Sequence, residues 1–214
     1  MKRWIWIAAL LAAVSAPASA KTWIVDDDGG PGVDFTEIQP AIDAAASGDL
    51  ILVRDGDYKG FHLTKSLVLA ADTGHRPRVT SASTLGCIIT TAEVSGFDLD
   101  RLYLDPSTGL VVIDDCACEA WGHTEMMEIE HCALVLLSRC HVSFHHDGEL
   151  ARPCVKITES EVIFSECTIL GQDGWDSVMS DPPGDGGDGI EAESSTLYVQ
   201  ATTCLGGAGG DYSG

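Results

Sequence analysis

The chain has 214 residues, of which 45% are hydrophobic, and it carries a formal net charge of −21 at pH 7. That hydrophobic fraction is too high for a disordered chain and is sufficient for one sizeable core. The strong acidity argues against nucleic acid as a partner, because binding phosphates requires a basic face.

The first twenty residues have the pattern of a secretory signal peptide. A basic start at residues 1–3 precedes an apolar run over residues 4–14, and small residues at 18–20 form a cleavage site. The run is shorter than the roughly 20 residues that a membrane-spanning helix needs. We therefore predict a secreted protein that begins at Lys21 and has no membrane span after cleavage. An uncleaved membrane anchor is the alternative.

Residues 21–60 are predicted to form a strand, a short capping helix and the first coil of a solenoid. The helix is expected within residues 35–46, where apolar side chains recur at helical spacing. Thr36 is the predicted N-cap, and Gly48 is the predicted C-terminal stop. The apolar face of this helix consists of Ile38, Ile42 and Ala45.

Residues 61–214 contain an internal repeat. Residues 112–118, 136–142 and 163–169 can be aligned so that each has a cysteine at its fifth position. A looser fourth copy at residues 203–205 follows a Gly/Asp-rich loop at 181–189. Periods in the twenties with β-branched strands predict a solenoid in which each coil supplies at least two strands to the stack.

The repeat predicts ladders of equivalent side chains. If the cysteines of the three copies point inward, alternation along a strand sends Asp115, Arg139 and Glu166 outward as a ladder of alternating charge. The chain has eight cysteines. They are predicted to be either reduced thiols stacked inside the solenoid or disulfides between coils, and the connectivity is open.

The N-terminal segment resembles the opening of the pectin-lyase-like superfamily. The resemblance lies in residues 25–29, 34–39, 41–45, 48–53 and 56–58. It implies an all-β fold, a right-handed parallel β-helix with a short N-terminal capping helix. The superfamily holds esterases, lyases and hydrolases of polysaccharides. It also holds secreted repeat proteins with Gly/Asp loops and cysteine-rich coils, which this chain resembles most in style.

The resemblance also supplies enzyme candidates. Gln172 and Asp173 fall where pectin esterases carry their first catalytic pair, so they are the predicted catalytic residues if the chain is an esterase. The second aspartate of that pattern is missing after Asp173, and a turn aspartate is the alternative. Further candidates are the lyase bases Arg139 and Lys156 and the hydrolase carboxylates Asp114, Asp115 and Glu119.

Metal sites are predicted at acidic and histidine-rich positions. Asp185 and Asp188 are the candidate Ca²⁺ ligands in the 181–189 loop, and residues 26–28 form a second acidic group. A zinc or copper site is one interpretation of a histidine cluster, and a polar turn is the other. That cluster consists of His141, His145, His146 and Asp147.

The chain ends in a glycine-rich stretch, residues 206–214, where another coil or a closing cap would be expected. We therefore predict a solenoid truncated at its C-terminus, or one whose open end is an interaction surface. The predicted function is that of a secreted, non-catalytic structural module or one that binds an extracellular polysaccharide or a cell-surface protein. The alternative is an esterase or lyase acting on pectin-like polyuronates, and no cofactor other than calcium is expected.

Overall fold

The computed structural model describes residues 20–121, 126–145, 152–171, 177–178, 187–207 and 212–213. In these ranges the chain winds as a right-handed parallel β-helix whose coils each contribute to three parallel sheets. The all-β prediction is confirmed. Within the described ranges, no helix has the length and apolarity needed to cross a membrane.

The elements follow one another in a regular order. They are β1 (Thr22–Val25), α1 (Ile38–Ala44), β2 (Leu50–Val53), β3 (Asp57–Tyr58), β4 (His62–Leu63), β5 (Val68–Ala71), β6 (Arg78–Val79), β7 (Ser83–Leu85), β8 (Thr91–Ser95), β9 (Asp98–Leu99), β10 (Leu102–Leu104), β11 (Ser107–Asp114), β12 (Ala117–Trp121), β13 (Met127–Glu130), β14 (Cys132–Ser138), β15 (His141–His145), β16 (Val155–Thr158), β17 (Glu161–Ser165), β18 (Thr168–Leu170), β19 (Ser177–Val178), β20 (Ile190–Glu193), β21 (Thr196–Gln200), β22 (Thr203–Leu205) and β23 (Tyr212–Ser213).

The strands stack into three long sheets. Sheet 1 has the order β1-β2-β5-β8-β11-β14-β17-β21, sheet 2 the order β3-β6-β9-β12-β15-β18-β22, and sheet 3 the order β4-β7-β10-β13-β16-β20. A short parallel pair, β19 and β23, lies apart from them. Each coil passes through sheets 1, 2 and 3 in turn, so neighbouring strands in a sheet come from successive coils.

The interior of the solenoid is filled by alternate residues of each strand. Val111 and Ile113 of β11 and Val135 and Leu137 of β14 are 0% exposed, and Phe164 continues their stack on the next coil. Burial of such side chains contributes roughly 1.5–3 kcal/mol each to folding. No coil could bury them alone, which is why the repeat is stable only as a stack.

Helix α1 lies at the N-terminal end of the solenoid, where Ile38, Ala41 and Ile42 are buried. The helix begins after Glu37, which makes no side-chain capping hydrogen bond, so the predicted N-cap at Thr36 is wrong. Pro40 explains the shift, because a proline is tolerated only in the first turn of a helix.

The end of α1 also differs from the prediction. The C-cap residue Ala45 is extended, and its N–H donates to the carbonyl of Ala41. Gly48, the predicted stop, lies beyond the helix at a φ of +92°. It belongs to the turn into β2, where its N–H donates to the Ser66 carbonyl at 2.6 Å.

Asp49 ties α1 to the first strand. Its side chain accepts hydrogen bonds from the Lys21 N–H at 2.8 Å, the Ala46 N–H at 2.9 Å and the Trp23 indole N–H at 3.0 Å. The carboxylate is 6% exposed. The hydrogen bonds from Lys21, Ala46 and Trp23 together lower the pKa of Asp49, because they stabilise the ionised form.

The register of sheet 1 confirms the alignment of the first three repeat copies. Val112 pairs with Leu136, which pairs with Ile163. The fourth copy was predicted two residues out of register, because Cys204 pairs with Ile169. The residue that follows Cys167 in the corner ladder is therefore Thr202, which accepts a hydrogen bond from the Cys167 N–H.

The corner between sheets 1 and 2 is a single residue with positive φ. Asp115 has a φ of 49°, Arg139 of 53° and Glu166 of 56°. All three are exposed, so the predicted outward ladder of alternating charge is confirmed. It lies in left-handed turns, however, and not on the face of a strand as predicted. Gly96 and Ala201 occupy the same corner in the coils before and after these three.

The residue after most of the left-handed turns explains why non-glycine residues are accepted there. At the corner from sheet 1 to sheet 2, the thiols of Cys140 and Cys167 donate to the carbonyls two residues earlier, both at 3.3 Å. At the corner from sheet 3 to sheet 1, the hydroxyls of Ser160 and Ser195 do the same at 2.8 Å and 2.7 Å. The left-handed conformation is unfavourable for a residue other than glycine, and this side-chain hydrogen bond to the backbone stabilises the turn.

The largest differences in length between coils lie at one connection. From sheet 1 to sheet 2, the aligned inward residues are five apart in each coil from β8 onward, as from Leu137 to Val142. From sheet 2 to sheet 3 the separation is 3, 9, 13 and 21 residues in successive coils, ending with Ile169 to Ile190. Length is therefore added on the side of the solenoid that adjoins sheet 2.

Candidate functional site

A groove crosses the outer face of sheet 2 and spans strands β6, β9 and β12. It has a volume of about 500 Å³. Because strands of successive coils stack, their equivalent side chains lie roughly 4.8 Å apart along the groove. The outward side chains that line it are Arg78, Thr80, Asp98, Asp100, Ala117 and Glu119.

Arg78 forms a two-point ion pair next to the groove. Its Nε lies 2.8 Å from Asp57 Oδ1 and its Nη2 lies 3.2 Å from Oδ2, on the preceding coil. The Arg78 guanidinium lowers the pKa of Asp57, and Asp57 raises the pKa of Arg78. Both groups therefore stay charged and in place over the neutral pH range.

Arg76 links two coils from the side. Its Nε lies 2.6 Å from Asp98 Oδ1, and its Nη1 donates to the Asp115 backbone carbonyl at 3.1 Å. Partial burial opposes the charge on Arg76, but the carboxylates of Asp98 and Asp115 outweigh it and raise the pKa. The position of Asp98 in the groove is thus held by a charged partner.

The remaining carboxylates of the groove also have partners. Arg101 Nε lies 3.1 Å from Asp100 Oδ2, and His141 Nε2 lies 3.4 Å from Glu119 Oε1. Each of these contacts uses one oxygen of the carboxylate. The second oxygen lies outside those contacts, and it can accept hydrogen bonds from a ligand.

No family model, curated protein or solved structure matches the chain. The β-helix therefore rests on the sheets themselves, and membership of the pectin-lyase-like superfamily stays a prediction.

Three of the four predicted site residues lie outside the described residues, namely Gln172, Asp173 and Asp185. Asp188 is described and exposed, and its backbone carbonyl accepts a hydrogen bond from the Cys154 N–H at 2.9 Å. The predicted esterase pair and the predicted calcium site in the 181–189 loop therefore stay predictions.

The acidic group at residues 26–28 is brought together by the fold. One carboxylate oxygen from each of Asp26, Asp27 and Asp28 lies within 4.8 Å of the others. Asp26 binds Arg54 through Oδ2 at 3.1 Å and accepts the Asp28 N–H through Oδ1. Because both of its oxygens already have partners, Asp26 fits a structural role in the N-terminal turn better than it fits a cation ligand.

Three other candidate residues have structural partners. Arg139 forms an ion pair with Asp114 in sheet 1, and Lys156 lies 3.0 Å from Glu128 in sheet 3. Asp114, Arg139 and Lys156 lie outside sheet 2, so the fold does not bring them to the groove. His141 reaches the groove through Glu119, whereas His146 and Asp147 and the side chain of His145 lie outside the described residues.

All eight cysteines are free. Burial raises the pKa of the Cys116 thiol to about 12 and that of Cys132 to about 11, so both are neutral hydrogen-bond donors. Cys116, Cys140 and Cys167 point inward as predicted, and the reduced alternative is the one that the structure has. Such buried thiols are poor nucleophiles.

The groove residues Arg78, Asp98 and Asp100 and the flanking Arg76 were not predicted from the sequence. Strands β6 and β9 have two residues each, which is too short for an alternation pattern to be detected. The available signal was spacing, because Asp57, Arg78 and Asp98 recur at intervals of 21 and 20 residues.

Proposed function

We propose that the chain is a secreted, non-catalytic β-helix module that binds an uncharged polysaccharide along the groove of sheet 2. The observation that carries the proposal is that every charged side chain lining the groove already contacts a partner side chain of the same chain. Arg78 is paired with Asp57, and Asp98 is paired with Arg76. Asp100 is paired with Arg101, and Glu119 contacts His141.

Paired charges fit a hydroxyl-rich ligand. A sugar hydroxyl can donate to the second oxygen of Asp100 or Glu119 and accept from a guanidinium N–H, without separating either ion pair. Because the ion pairs fix these groups before the ligand arrives, binding costs less ordering of side chains. An open groove that crosses several coils suits an extended polymer.

The same pairing disfavours a polyuronate. Each uronate carboxylate would need a cation that the chain does not already neutralise, and the protein carries a net charge of −21. Long-range repulsion would therefore slow the approach of a polyanion. An amino sugar polymer would likewise have to compete with Arg76 and Arg101 for their carboxylates.

The test is binding of the full chain, produced in a secreting host, to neutral polysaccharides such as mannan, galactan and xyloglucan. Polygalacturonate and chitosan serve as the anionic and cationic comparisons. The mass of the secreted product checks the predicted signal peptide, because cleavage should leave a chain that begins at Lys21. We expect binding to at least one neutral polymer and weaker binding to both charged ones.

A matched pair of variants locates the site. Asp100→Asn with Glu119→Gln removes two groove charges, whereas Glu191→Gln with Glu193→Gln removes two exposed charges from sheet 3. The first pair should weaken binding about ten-fold, the effect of losing one hydrogen bond to a charged group, and the second should not. Absence of neutral binding would contradict the proposal. Release of methanol from methyl-esterified pectin that Asp173→Asn abolishes would replace it with the esterase alternative.

A further inference from the structure

The outer face of sheet 1 differs from the outer face of sheet 2, because its central column is apolar. The column takes one outward residue from each strand between β2 and β21, and six of its seven side chains are aliphatic or aromatic. Its members are Leu50, Val68, Glu93, Val112, Leu136, Ile163 and Tyr198. Leu110 pairs with Leu134 on one side of it and widens the apolar area. The outward column on the other side is polar from β8 onward, with Ser95, Asp114, Ser138, Ser165 and Gln200.

These side chains point away from the core. Val112 lies between the fully buried Val111 and Ile113, and Leu136 lies between Val135 and Leu137, which are also 0% exposed. Val112 and Leu136 are partly exposed, and Tyr198 is 52% exposed. In the described part of the chain, the main contacts of the sheet 1 strands are with neighbouring strands and with α1 at β1 and β2.

Among the described residues nothing covers this apolar column, which is unusual for a parallel sheet. Parallel sheets are normally covered on both faces, and contiguous apolar patches on a soluble protein mark interaction sites. The seven strands of the column span roughly 29 Å, and three outward columns are roughly 20 Å wide. The face thus offers on the order of 600 Å² per molecule, and two copies would bury about 1,200 Å², the lower limit of specific interfaces.

We propose that this face docks against the same face of a second copy of the chain. Two flat sheets pack face to face at about 10 Å, and a two-fold axis makes one patch complementary to itself and closes the assembly as a dimer. The low charge of this face, compared with the rest of the acidic surface, favours it for self-association. Each molecule carries −21, and the face contributes little of that charge because Arg139 neutralises Asp114. Glu93 and Glu161 remain as the charges on or beside the apolar columns.

The dimer is expected to be weak and to depend on salt. The buried area is at the lower limit, and two strongly acidic molecules repel, so we expect a dissociation constant in the micromolar range. Raising the salt from about 0.15 M to about 0.5 M screens the repulsion and should tighten the dimer. A basic partner protein would show the opposite dependence, because salt weakens attraction between opposite charges.

The experiment is sedimentation velocity on the full chain between about 1 µM and 500 µM at both salt concentrations. Leu136→Lys with Ile163→Lys places two charges in the apolar column, and Tyr103→Lys places a charge at an outward position of sheet 3 as the control. Circular dichroism checks that all variants keep the β-helix. We expect a dimer in the wild type and the control, and at least ten-fold weaker association in the double variant.

Three results would overturn the inference. They are a monomer at every concentration, a dimer that the double variant leaves unchanged, and a monomer that binds a basic amphipathic peptide through this face. The last result would assign the face to a different protein. Because sheet 2 lies on another side of the solenoid, sugar binding should be unaffected by Leu136→Lys with Ile163→Lys.

Discussion

The inside and the outside of this solenoid follow different rules. Inside, the same position carries the same kind of side chain from coil to coil, as in the stack of Ile113, Leu137 and Phe164. Outside, sheet 1 has an apolar central column and sheet 2 carries paired charges, although both have the same backbone geometry. The inner positions are constrained by close packing, which leaves the outer positions to differ between faces.

The largest expected effect is a difference in unfolding free energy between substitutions of two neighbouring residues, one on the inner and one on the outer side of β14. Leu137→Ala should lower the free energy of unfolding by about 2–5 kcal/mol, because it leaves a cavity in the stack. Leu136→Ala, one residue earlier and outward, should cost less than about 1 kcal/mol. Urea denaturation at a protein concentration well below the micromolar dissociation constant of the proposed dimer, where the monomer predominates, measures both. Equal losses would mean that the outer face of sheet 1 is packed against something in the monomer.

A second comparison concerns the buried polar groups at the corners. Ser160→Ala removes the acceptor of the Cys132 N–H and the donor to the Thr158 carbonyl, at 2.9 Å and 2.8 Å, and should cost about 1–3 kcal/mol. Cys140→Ser keeps a donor in the equivalent role and should cost less than about 1 kcal/mol. Thermal unfolding under reducing conditions distinguishes them. A larger loss for Cys140→Ser would show that thiol packing, and not the hydrogen bond, holds the corner.

The smallest expected effect is on the pH dependence of stability, in which the buried carboxylate of Asp49 should differ from the exposed carboxylate of Asp57. The folded pKa of Asp49 lies below the unfolded value, so its contribution is complete above the unfolded pKa of about 3.9 and is lost as the pH falls through the folded pKa. Asp49→Asn should lower stability at pH 7 by about 1–2 kcal/mol and flatten the acid limb of the stability curve. Asp57→Asn, on the exposed face of sheet 2, should leave that limb nearly unchanged. Urea midpoints between pH 2 and pH 7 give both curves, and matching curves would contradict the distinction.

The sequence predicted the parts of the fold that repeat. The copies at residues 112–118, 136–142 and 163–169 share long strands with clear alternation, and their register is the one observed. The fourth copy was misaligned because its corner residue is Thr202 and not a cysteine. The Thr202 hydroxyl donates to the carbonyl two residues earlier, as the thiol of Cys167 does in the preceding coil. A search for Ser, Thr or Cys after a left-handed corner would have aligned it, since all three can donate to the carbonyl two residues earlier.

The candidate site was harder to predict, because its residues are distant in sequence and lie on very short strands. Asp98 and Arg76 are 22 residues apart, and only the stacking of coils brings them to 2.6 Å. The motif-like pair Gln172 and Asp173 was easier to find than the groove. Outward residues also follow no packing rule, so their chemistry cannot be inferred from the strand pattern.

The uneven spacing between sheets 2 and 3 has a consequence for how such a protein can change. From β8 onward the interval between sheets 1 and 2 is constant, because one residue inserted at this one-residue corner would exchange the inner and outer side chains of the next strand. Residues inserted between sheets 2 and 3 leave every ladder in register, and longer loops cost little additional entropy. Foreign peptides should therefore be tolerated after β12, β15 or β18. Natural insertions there can alter the border of the groove while the framework is inherited intact.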